Sequence, residues 1–129
     1  MATEISLEPT TVNLTVYKGD SINLRFNLTE DGTAYSIPAL GGGAGWQGNI
    51  ENPTGTILAS TGTNSGTFVL TGAAASTFLT ATVPSTATSL FVVGTTYSYD
   101  IQYTWIESAV TYIRTFVKGS ITVLDEVTT

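Results

Sequence analysis

The sequence predicts an all-β domain, an antiparallel β-sandwich of about seven to nine strands with almost no helix, and three observations carry that reading. Roughly one residue in five is threonine, which is β-branched, fits a pleated surface and forms helices poorly. Apolar residues recur at every second position in segment after segment. Between those segments stand Gly, Pro, Asn and Asp, the residues that turns select.

Taken in order, Val12, Leu14 and Val16 alternate with Asn13 and Thr15 as a first strand. Ile22, Leu24, Phe26 and Leu28 alternate with polar residues as a second, and they should face the core together with Trp46 and Ile101. Lys18-Gly19-Asp20 joins the two as a hairpin or as a crossing between sheets. Asp31-Gly32 is a turn signal, and Trp46, Gly48 and Ile50 alternate in the next strand. Asn52-Pro53-Thr54-Gly55 has Pro second and Gly fourth, as a type I turn prefers, with a returning strand over 56–60. Further strands are expected over 67–71 and 77–83. In Pro84-Ser85-Thr86-Ala87-Thr88-Ser89-Leu90 a single helical turn is expected, capped by Ser85 and pinned to the core by Leu90. Two long strands close the chain, over 97–105 and 110–124, joined by a turn at 106–109 and with Gly119 as a bulge or bend.

Composition bounds the function. The 129 residues suit one domain, with only the ends, 1–10 as an extended arm and 125–129 as a tail, looking detachable. With 42% hydrophobic and 11% charged residues the chain is built to fold. No apolar run approaches the length of a spanning helix, and no signal peptide is visible at the N-terminus. Cysteine and histidine are absent, which points to a reducing cytosol as the place of synthesis and removes the usual zinc and haem ligands, so no cofactor is expected. Four basic residues against ten acidic ones, a net charge of −6, argue against nucleic acid and acidic membranes as partners.

Few residues invite chemistry. Glu30, Asp31, Glu51, Glu107, Asp125 and Glu126 fall at turns and tails, where acids keep a surface soluble. Asp100 differs, since it lies inside a strongly alternating strand and is expected to pair across strands with Arg114 or Lys118. Without His or Cys, a carboxylate pair is the one catalytic device left, and the chain is read as no enzyme. The stripe Tyr97, Tyr99, Tyr103 and Trp105 fits a packed core, a protein interface or a sugar platform. Leu40-Gly41-Gly42-Gly43-Ala44-Gly45 lacks the Gly-Lys-Ser/Thr ending of a phosphate loop and reads as a flexible loop able to serve as a contact. The N-terminal arm, with Ile5 and Leu7, is the other contact segment.

Several of these elements occur in a familiar order. Lys18-Gly19-Asp20, Asp31-Gly32-Thr33, the Trp46 strand, Gly94-Thr95-Thr96-Tyr97-Ser98-Tyr99-Asp100-Ile101-Gln102, and Thr115, Gly119, Ile121 and Val123 of the last strand follow one another. Over residues 12–128 the chain resembles a small immunoglobulin-like domain of tailed bacteriophages, related to the N-terminal domain of phage baseplate upper proteins. The 40–45 insertion and the lack of a coiled-coil extension depart from that pattern, and the second argues against a receptor-binding fibre. The resemblance implies a virion protein made in the host cytoplasm, with other virion proteins as partners and repeated copies on a lattice. A capsid decoration or cement protein comes first among such roles, and a tail or baseplate adaptor is the alternative. A carbohydrate-binding module, resting on the aromatic stripe, is the rival from another class.

Overall fold

A computed structural model describes residues 2–5, 9–30, 32–61 and 67–125. Its strands are β1 (Ala2–Ile5), β2 (Thr10–Thr11), β3 (Leu14–Tyr17), β4 (Ile22–Glu30), β5 (Thr33–Ala34), β6 (Gly45–Glu51), β7 (Ile57–Ser60), β8 (Val69–Thr71) and β9 (Phe78–Val83). The helical turn α1 (Ser85–Thr88) precedes β10 (Thr96–Glu107) and β11 (Val110–Leu124). One sheet runs β1-β4-β9-β8 with β5 on β4, and the other runs β2-β11-β10-β6-β7 with β3 on β11. The architecture is the expected all-β sandwich.

The alternating positions meet between the sheets because a strand points successive side chains to opposite faces. Phe26, Leu28, Leu79 and Ala81 of one sheet and Ile50, Ile101, Phe116 and Ile121 of the other are buried in one cluster. Ile22 belongs to it, and Leu24 and Trp46 pack against it partly buried, so all six expected core positions face inward. The Trp46 ring lies 4.6 Å from Tyr103 and 5.4 Å from Phe116, and its indole N–H donates to the Gly72 carbonyl at 3.0 Å.

Three pairings depart from the antiparallel expectation. β1 runs parallel to β4, and β2 and β3 run parallel to β11. Alternation reports which face of a strand is buried and carries no sign of its neighbour's direction. β1 is thus paired with one sheet and β2 with the other. The sequence around 18–20 is accordingly a crossing: β3 lies in one sheet and β4 in the other. The short edge strands bring the number among the described residues to eleven, above the expected range.

Local details divide in the same way. The Asn52 side-chain oxygen accepts from the N–H groups of Thr54 (3.0 Å) and Thr56 (2.9 Å), and Gly55 N–H donates to the Asn52 carbonyl, as the turn residues require. α1 forms where expected, but Ser85 is its first residue and gives no side-chain cap. Leu90 points outward, 66% exposed, and the fully buried Phe91 does the pinning through its stack on Tyr97 at 4.7 Å. The β10–β11 ladder holds from Thr96↔Thr122 to Glu107↔Val110, leaving only Ser108 and Ala109 as the turn. Its bulge falls at Phe116, where the register shifts, and Gly119 pairs in step with Tyr99.

Candidate assembly surface

Gly119 has another purpose. A Cβ there would lie 2.0 Å from the Val12 carbonyl oxygen. The missing side chain lets the segment between β2 and β3 settle on β11, with Val12 N–H donating to the Lys118 carbonyl at 2.9 Å. The Tyr99 hydroxyl then donates to the Val12 carbonyl at 2.7 Å, and burial pushes its pKa up to about 12. The Tyr103 hydroxyl donates to the Pro38 carbonyl at 2.7 Å, and the Tyr97 hydroxyl accepts from the Val92 N–H at 2.7 Å. Each tyrosine of the stripe thus fills the core with its ring and ties down one irregular segment with its oxygen. Tyr97, Tyr99 and Tyr103 are buried, and Trp105 is half-buried, so the stripe forms no exposed sugar platform.

The loop holding Leu40, Gly41, Gly42, Gly43, Ala44 and Gly45 is docked on β10 rather than free. Ile106 N–H donates to the Leu40 carbonyl at 2.9 Å, and Gly43 N–H closes back on the same oxygen at 2.8 Å. Gly41, at φ +57°, leaves room that a Cβ would deny, since that atom would stand 2.0 Å from the Ile106 carbonyl oxygen. Gly45 already belongs to β6. Leu40, at 45% exposure, and Gly41, Gly42 and Ala44 lie on the surface, whereas Gly45 is buried. Of the arm residues, Ile5 lies opposite Leu28 in the β1–β4 ladder, and Leu7 lies outside the described residues.

On the outer face of the larger sheet, Thr11, Lys118, Asp100 and Asn49 stand in one row across four strands. With Ser98 and Glu51 they line a shallow groove of about 380 Å³. Lys118 is therefore the cross-strand register neighbour of Asp100. The Arg114 guanidinium instead lies over the rings of Tyr35 at 4.7 Å and Phe116 at 4.8 Å. Burial raises the Asp100 carboxyl above the ordinary carboxylate value; the Asn49 backbone N–H lowers it, and Glu51 raises it. Glu51 and Asp100 lie far apart in the sequence, and the β6–β10 register brings them to one groove.

The strongest surface feature is the distal hairpin, which sequence reasoning treated as an ordinary strand end. Val110, Thr111, Tyr112 and Ile113 are all exposed although they alternate in direction, so both faces of β11 stand clear of the sandwich here. Val110, Tyr112 and Ile113 are 49%, 42% and 65% exposed. Trp105 stacks on Tyr112 at 5.4 Å with an interplanar angle of 18°, stiffening the projection. The legible signal was the apolar pattern itself, continuing past the length that the opposing sheet can cover.

No protein-family model matches the chain, and no curated protein matches it. Among solved structures it is similar to the N-terminal domain of phage TP901-1 ORF48, with a TM-score of 0.52 and 14% sequence identity. The match covers 96% of this chain and 98% of that one, so the two share a fold from end to end.

Proposed function

We propose that the protein is a non-enzymatic structural component of a tailed-phage particle, docking on other virion proteins in repeated copies. The observation that carries this reading is the end-to-end fold match with a phage domain, which agrees with the ordered motifs of the sequence. The surface supports it. The aromatic stripe is spent on the core, and the projecting hairpin offers apolar side chains together with strand backbone, which suits protein docking. Many copies on a lattice would turn a modest contact into firm attachment.

Within this reading, capsid decoration and a tail or baseplate adaptor differ in position on the particle. Immunogold labelling of purified particles separates them: label over the capsid marks a decoration protein, and label at the tail tip marks an adaptor. Absence of the protein from purified particles would overturn the proposal, as would hydrolysis of a polysaccharide by the purified protein.

A further inference from the structure

We draw no further inference here: the strongest candidate, the apolar end of the sandwich opposite the hairpin, where Tyr17 and Leu124 of the β3–β11 pair lie beside the exposed loop of Leu90, Val92 and Val93, is an unpartnered face, and nothing in the structure shows what covers it.

Discussion

At the scale of single residues, polar and small side chains do work that their types only partly announce. Gly119 reads as a bulge from its sequence, because glycine in a strand marks either a bend or a close approach, and the partner that decides between them lies near the other end of the chain. Asp100 reads correctly as unusual. The folded state holds its proton more tightly than the unfolded chain does, since burial, opposed by the Asn49 N–H and seconded by Glu51, disfavours the carboxylate. Its charged form therefore weighs against folding above the raised value, and that cost fades as pH falls through it. Asp100→Asn is expected to raise the melting temperature at neutral pH and to change it less at about pH 4, near the ordinary carboxylate value. Thermal melts at both pH values check this, and an equal shift at both would assign the effect to something other than titration.

At the scale of elements, alternation was enough to place the long strands. Ile22 to Leu28 and Tyr97 to Tyr103 carry strict apolar–polar periods, and β4 and β10 appear where those periods lie. What alternation lacks is direction and company. The parallel course of β1, β2 and β3 left no mark, nor did the docking of the 40–45 loop on Ile106, because glycines offer no side chain from which a contact could be read. The β10–β11 turn is another such case. A two-residue connection with both φ positive prefers Asn-Gly, yet Ser108 and Ala109 stand there. Left-handed backbone costs an ordinary residue roughly 1–2 kcal/mol. Ser108→Asn combined with Ala109→Gly is accordingly expected to stabilise the protein by about 1–2 kcal/mol in urea titration. An unchanged midpoint would mean that the turn relaxes out of the left-handed region in solution.

At the scale of the whole molecule, the two sheets share one core, and that sharing governs both stability and what is left for function. Phe26 on β4 is fully buried, and its cluster includes Ile50, Ile101 and Ile121 of the opposite sheet. Truncation to alanine would strip contacts from both layers at once and leave a space that neither sheet can close alone. Phe26→Ala is therefore expected to cost about 3–5 kcal/mol, a large part of the stability of a domain this size. Ile113 is the matching control: it is as apolar as a core residue but 65% exposed, and Ile113→Ala should change stability by about 0.5 kcal/mol or less. Urea titrations of the two variants measure the contrast directly. A small loss for Phe26→Ala would remove its ring from between the sheets, and a large loss for Ile113→Ala would mean that the hairpin folds back on the body. The expected pair of results separates residues that hold the sandwich together from apolar residues that the fold leaves exposed.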